Sequence, residues 1–419
     1  MSGRHAVIAA VAVLALARPA QAQDVPVISG QLLFYGEAHD RATGGPLAQG
    51  HQLAPEIINA AAPSTRQVEA SARLKWLGIE AAATALGSQD GGQSARTRLR
   101  LDELFYAKDS ADTQRITLGK RVVSWDVGYA FRPNDLIQDE NRRTLVPRTL
   151  EGRPLLMLES YEAESSWSLV AARIDARTQD THPNASDQFM LAGRYYRHAG
   201  AADLYGFAGL GSRTRATVGA AFSWVLTDAL ELHGSYRLSQ RVKYPATPAA
   251  GTPAPIASSP YVDAWHSDAN QIMIGGTWTT ESKLSLIAEG WYDATAPSNR
   301  FWSQWAKRNT ALDAAAGYGV PPFAVAGNDG WQAEQLSYGP LRRANLFARL
   351  SWTHEAWEPF LDVLYMPSDH GAVITAGVTW TGERVKLFSG IRAFRGPSTS
   401  LAAQLPIRTL AYAGLSVSF

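Results

Sequence analysis

Basic residues recur at every second position in three stretches of the N-terminal third. Arg73 and Lys75 alternate with Leu74 and Trp76. Arg96, Arg98 and Arg100 alternate with Thr97, Leu99 and Leu101, and Arg115 and Arg121 share a phase opposite Ile116, Leu118 and Val122. In an extended strand, side chains two apart share a face, so each stretch carries cations on one side and apolar groups on the other. Guanidinium groups in such rows do no covalent chemistry. They concentrate counter-ions and favour anions in a narrow passage. A dense charge cluster follows, from Trp125 to Arg153, with Arg132, Arg142, Arg143, Arg148 and Arg153 set among Asp126, Asp135, Asp139, Glu140 and Glu151. Folded inward, this loop would face the arginine wall with carboxylates and create a transverse field at a constriction. Left outside, it would be self-paired, with Asp139 or Glu140 neutralising Arg142 and Arg143.

Catalytic alternatives are few. His233 and Ser235 share a strand face, as a base and a nucleophile would need to. Leu230, Leu232, Tyr236 and Leu238 claim the lipid side of that strand, however, and an outer-membrane lipase needs its nucleophile within reach of lipid. No Gly-x-Ser-x-Gly elbow, phosphate loop or His-Glu-x-x-His helix occurs, and the chain has no cysteine to act as nucleophile or thiolate ligand. An enzyme is not expected, and no cofactor or metal is implied.

The elements that must position these charges are legible in the second half. Ala216 to Trp224, Ile272 to Trp278, Ala344 to Trp352 and Ala372 to Trp380 alternate apolar with polar residues. Each ends on a tryptophan just before a tight polar turn. Period-2 alternation signals strands with one apolar face. Tryptophans at one depth read as an interfacial girdle, with short turns on the periplasmic side and long loops outside. The chain has 13 Trp, 15 Tyr and 13 Phe, yet beyond the leader it lacks the run of roughly 18 apolar residues that a spanning helix requires. The fold expected is all-β: a closed, antiparallel, up-and-down transmembrane barrel. Counting back from the C-terminus gives about 16 strands, the earliest starting near 66, 96 and 115. The alternating segment from Ile28 to His39 is then left over: either it is a pre-barrel segment within 23–65, or 41–85 hides another strand and the total is 18. Residues 125–153, 241–268 and 295–341 fall outside. The proline-rich 245–260 reads as a loop, and 299–317 as a short helix with Trp302, Trp305 and Leu312 near one face.

Both ends point to export. Arg4 and His5, the apolar run from Ala6 to Ala17, and Ala20-Gln21-Ala22 make a signal peptide over 1–22. The last strand, with Ala411, Ala413, Leu415, Val417 and Phe419 on one face, resembles the terminal strand by which outer-membrane barrels engage their assembly machinery. The full chain has 39 basic and 38 acidic residues. Losing Arg4 and Arg18 with the leader shifts the balance slightly acidic, which argues against a nucleic-acid partner.

Leu104-Phe105-Tyr106, then Leu118-Gly119-Lys120-Arg121-Val122-Val123-Ser124-Trp125, then Phe131-Arg132-Pro133-Asn134-Asp135 is similar to the hairpin and following loop of alginate-export-type and related bacterial porins. These have a Gly-basic-x-x-x-x-Trp pattern before a loop into the pore, although Asp126 stands where Gly is usual. The resemblance implies passive passage of small solutes, with Asp135, Arg142, Arg143 and Arg148 as pore residues. The barrel's expected partners are outer-membrane lipid, the assembly machinery through Phe419, and a small solute, anionic where the basic rows set the preference. The second class to weigh is a non-transporting barrel, acting as receptor, adhesin or assembly component.

Overall fold

The computed structural model describes residues 25–138, 144–146, 149–174, 188–247, 255–337 and 341–419. Eighteen antiparallel strands form one closed sheet. They are β1 (Val27–Arg41), β2 (Ser64–Trp76), β3 (Ile79–Asp90), β4 (Arg96–Ala111), β5 (Gln114–Arg121), β6 (Arg153–Tyr161), β7 (Ser165–Ile174), β8 (Gln188–Ala199) and β9 (Ala202–Gly211). The second half adds β10 (Arg215–Thr227), β11 (Leu230–Ala246), β12 (Val262–Thr279), β13 (Leu284–Asp293), β14 (Ala344–Trp352), β15 (Trp357–Met366), β16 (Gly371–Thr381), β17 (Val385–Arg395) and β18 (Ile407–Ser418). Each strand pairs with its neighbours in sequence, and β1 closes the ring on β18. Closure is what lipid demands, because an open edge would leave backbone groups unpaired at several kcal/mol each.

The strand number is therefore 18, the larger of the two counts. β1 is the alternating Ile28–His39 segment. The hidden strand is β3, where Ala81, Ala82, Ala83 and Ala85 put small residues on both faces and erase the alternation. β11 and β12 also run further than expected, to Ala246 and from Val262, so their hairpin projects beyond the wall and the loop between them is shorter than 241–268.

Outward faces carry exposed apolar residues such as Leu99, Leu118, Leu156, Leu191, Leu210, Ile274 and Leu350. Trp224, Trp278, Trp352 and Trp380 all stand beside the short turns, as the girdle requires, joined by Trp76, Trp167 and Trp357 on the same rim. The resemblance motif has a local cause. Gly119 takes φ +135°, where an L side chain is strained, and a Cβ there would come within 2.6 Å of Phe105 Cα.

On the long-loop side the described residues form three α-helices: α1 (Pro46–Leu53), α2 (Asn299–Gly317) and α3 (Pro322–Gln335). α2 matches the expected helix, with the Ser298 side chain accepting from Phe301 N. Its aromatic face packs as Phe301, Trp302 and Trp305 with Leu336 and Leu401. No helix among the described residues is long and apolar enough to cross a membrane.

Candidate functional site

The loop after β5 turns into the barrel. Val123, Trp125, Leu136 and Ile137 are buried against inward residues of β6–β10, among them Met157, Val170, Ala192 and Phe207. Each such side chain taken from water contributes about 1.5–3 kcal/mol, enough to hold the loop on an inner wall that is itself apolar. The loop's own polar groups close upon one another. Asp135 accepts from Trp125 N (2.6 Å), Asp126 N (3.0 Å) and Ser124 Oγ (2.8 Å), while Asp126 accepts from Asn134 N (2.5 Å) and Val127 N (2.8 Å). Burial raises both carboxyls above the usual range, against the pull of these hydrogen bonds and, for Asp135, of Arg132.

The loop tip crosses to the far wall. Ser235 Oγ donates to Asp126 (2.8 Å), Asn134 Nδ2 donates to Ser235 Oγ (2.8 Å), and Arg237 donates to Pro133 O (2.5 Å). Glu289 of β13 accepts from Tyr129 N (2.5 Å) and Ala130 N (2.8 Å) and lies 3.0 Å from His233 Nε2. Phe131 stacks on Trp291 at 5.4 Å, and Tyr129 on Phe347 at 5.8 Å. His233 and Ser235 thus serve as loop anchors, each with its own carboxylate partner. On the return, Thr149 donates to Glu69 (2.9 Å), and its carbonyl accepts from Arg100.

What the loop leaves open is a cavity of about 560 Å³ against β14–β18, β1 and β2. Phe347, Phe360, Phe388 and Tyr412 line it beside Arg349, Asp362 and Arg392. Arg349 meets both Asp362 oxygens at 3.0 Å and lies over the Phe360 ring at 4.2 Å. Arg392 donates to Thr375 (2.8 Å). This wall carries no run of like charges, so nothing short of the folded lumen marks it as a site.

The arginine rows face inward, but they do not form one uninterrupted basic wall. β3 lies between the strands that carry Arg73 and Arg98, so the three rows are not on consecutive strands. Carboxylates are also interleaved. Arg73 pairs with Glu80 (3.2 Å) and Glu103 (2.5 Å), Lys75 with Glu80 (3.3 Å), Arg100 with Asp102 (2.5 Å), Arg121 with Glu159 (3.5 Å), and Arg115 approaches Asp109 (3.9 Å). Asp102 and Glu103 are adjacent in sequence yet both buried, because a register irregularity at Ala82/Ala83 interrupts the β3–β4 ladder there. Arg96 bonds Gln93, and among the described residues neither Arg96 nor Arg98 has a carboxylate partner. Asp135 and Arg153 are buried in and beneath the loop, away from the open cavity. Asp139, Glu140, Arg142, Arg143 and Arg148 lie outside the described residues, as do residues 1–22, where a leader is expected.

No protein-family model matches the chain, and no curated protein does. Among solved structures, OccAB1 of Acinetobacter baumannii aligns at TM-score 0.51 and 10% identity, over 94% of this chain and 96% of that one. The fold is that of an outer-membrane porin-like barrel. Looser likenesses are a Rhodopseudomonas blastica porin variant (TM-score 0.43, 10% identity, 94% and 100% covered) and the E. coli capsule-assembly protein Wzi, described as a carbohydrate-binding barrel (TM-score 0.49, 10% identity, 93% and 84% covered).

Proposed function

We propose that this barrel is a narrow passive channel of the outer membrane, exported by its leader and admitting small solutes through the passage that the 122–152 loop leaves open. One observation carries the reading: a loop anchored across the lumen on β11 and β13, with a cavity lined by aromatic and paired charged side chains beside it. Because Arg73, Arg100 and Arg121 are matched by carboxylates, most of the basic rows balance locally. An anion preference then comes chiefly from Arg96 and Arg98, at the extracellular end of β4.

Reversal potentials in a planar bilayer under a salt gradient test both statements. Wild type should favour anions modestly, and more so at 0.01 M salt, where screening reaches over about 30 Å. Arg96→Ser with Arg98→Ser should bring the permeability ratio towards one without loss of folded protein. Arg100 is a poor choice for the test, since it ties Asp102 to Thr149 and its loss would also disturb the loop. Equal selectivity in variant and wild type would remove the anion reading. Silence of the purified barrel at every pH would favour a receptor, adhesin or assembly component instead.

A further inference from the structure

The extracellular helices come from distant strands and meet over the mouth. α1 leaves between β1 and β2, whereas α2 and α3 leave between β13 and β14, with β14–β18 and β1 lying between the two exits. Yet α1 packs on α3. A Cβ at Gly50 would lie 3.1 Å from Asp329 Cβ, and one at Gly330 would lie 2.9 Å from Ile58 Cδ1. Beneath them, Leu341 and Leu405 belong both to the cavity lining and to the cluster around Phe301, Trp302 and Trp305. The helices therefore roof the cavity.

The two seams of this roof differ. Between α2 and α3, Trp305 Nε1 donates to Gln332 O and Gln332 Nε2 to Trp305 O, both at 3.0 Å, and the Tyr261 hydroxyl donates to Gln332. Between α1 and α3 the approach is close, through Gly50, Ile58 and Gly330 around Asp329, but among the described residues no side-chain hydrogen bond crosses it to match those of Gln332. That carboxyl is 2% exposed, and its Oδ2 accepts no hydrogen bond among the described residues. The charged groups acting on it are Asp313 and Arg308 of α2, with Tyr261 beyond Arg308; Asp313 accepts in turn from Gln49 of α1, while His51 of α1 has its Nδ1 2.8 Å from Ile58 O.

We propose that the α1–α3 seam is a pH-dependent latch: protonated Asp329 keeps the helical roof closed over the cavity, and its ionisation frees α1 from α3 and opens the mouth. Burial, with the like charge of Asp313 beside it, raises the Asp329 carboxyl from 3.8 to about 7, against the pull of Arg308. A carboxyl raised in the closed state favours closure fully below its ordinary value and loses that contribution as pH climbs through about 7. About three pH units at tenfold each bound the change in the closed-to-open ratio at roughly a thousandfold.

The gating consequence rests on the channel reading, but the latch can be tested without it. The chain has no cysteine, so Gln52→Cys on α1 and Glu334→Cys on α3 take spin labels cleanly in the full-length barrel. Dipolar spectroscopy should give one narrow distance at about pH 5 and a longer, broader one at about pH 8.5. Asp329→Asn should stay narrow throughout. Should that variant fold poorly, Asp313→Asn removes the neighbouring charge while keeping an acceptor for Gln49 of α1, and should move the transition to lower pH. Unchanged distances in wild type, or an Asp329→Asn protein that still broadens, would overturn the latch. Distances that move while conductance stays constant would uphold the latch and count against the channel.

Discussion

Replacing Glu289 with alanine should release the tip of the in-folded loop and raise single-channel conductance. Glu289 is buried, and its two oxygens hold three groups: the Tyr129 and Ala130 amides and His233. Removing one partner of such a buried cluster strands the others and costs about 3–5 kcal/mol. At tenfold per 1.4 kcal/mol, the docked tip should become about a hundredfold to a few thousandfold less favoured. The apolar anchor of Trp125, Leu136 and Ile137 is untouched, so residues 128–131 should swing free while the base of the loop stays on the wall. The strand ladder is also untouched, and heat resistance of the barrel on gels should match wild type. Glu289→Gln, which keeps an acceptor but adds a donor facing two amides, should fall between. A conductance equal to wild type in the alanine variant would mean that the tip does not limit flow.

The second large effect is expected at the seam where the cylinder closes. Phe419 exchanges backbone hydrogen bonds with Gly30, N to O at 3.0 Å and O to N at 2.9 Å, and its ring lies over that glycine. A Cβ at Gly30 would stand 2.6 Å from Phe419 Cε2, so any side chain there must displace the ring. Deleting Phe419 removes two of the many bonds joining β1 to β18, a net loss of about 1–3 kcal/mol, small beside the whole ladder. We therefore expect deletion of Phe419, and Gly30→Val, to lower the yield of assembled barrel severalfold while the fraction that does assemble melts close to wild type. Gly30→Ala should be milder than Gly30→Val. Surface levels of each variant, set beside the melting point of the purified barrel, separate the two effects. Normal surface levels without Phe419 would remove its part in assembly.

The strands of the second half were readable because each faces lipid on one side and a wet lumen on the other. That asymmetry imposes period 2, and the membrane interface adds a tryptophan at the short-turn end of β10, β12, β14 and β16. β10, β13, β16 and β17 begin where the alternation begins. β3 was not readable, since alanine serves on both of its faces. α1 and α3 carry Gly50, Gly327 and Gly330 and little helical pattern of their own; contact with each other and with α2 makes them helices.

For the lumen the division is sharper. Alternation alone turned Arg73, Arg98 and Arg121 inward, because lipid would penalise each by about 2–4 kcal/mol at mid-membrane. It could not show that Glu80, Glu103 and Glu159 stand against them, since pairing depends on register between strands and on an irregularity at Ala82/Ala83. Charge density marked the loop after Trp125, but both an inward and an outward course satisfied it. The choice was made by partners distant in sequence: an apolar inner wall on β6–β10, and Glu289 on β13, about 160 residues further along. Local sequence determines which face of a strand meets lipid, because the solvent on each side acts residue by residue. The course of the loop and the place of the open passage belong to tertiary structure, because they depend on which buried groups find partners once the cylinder has closed.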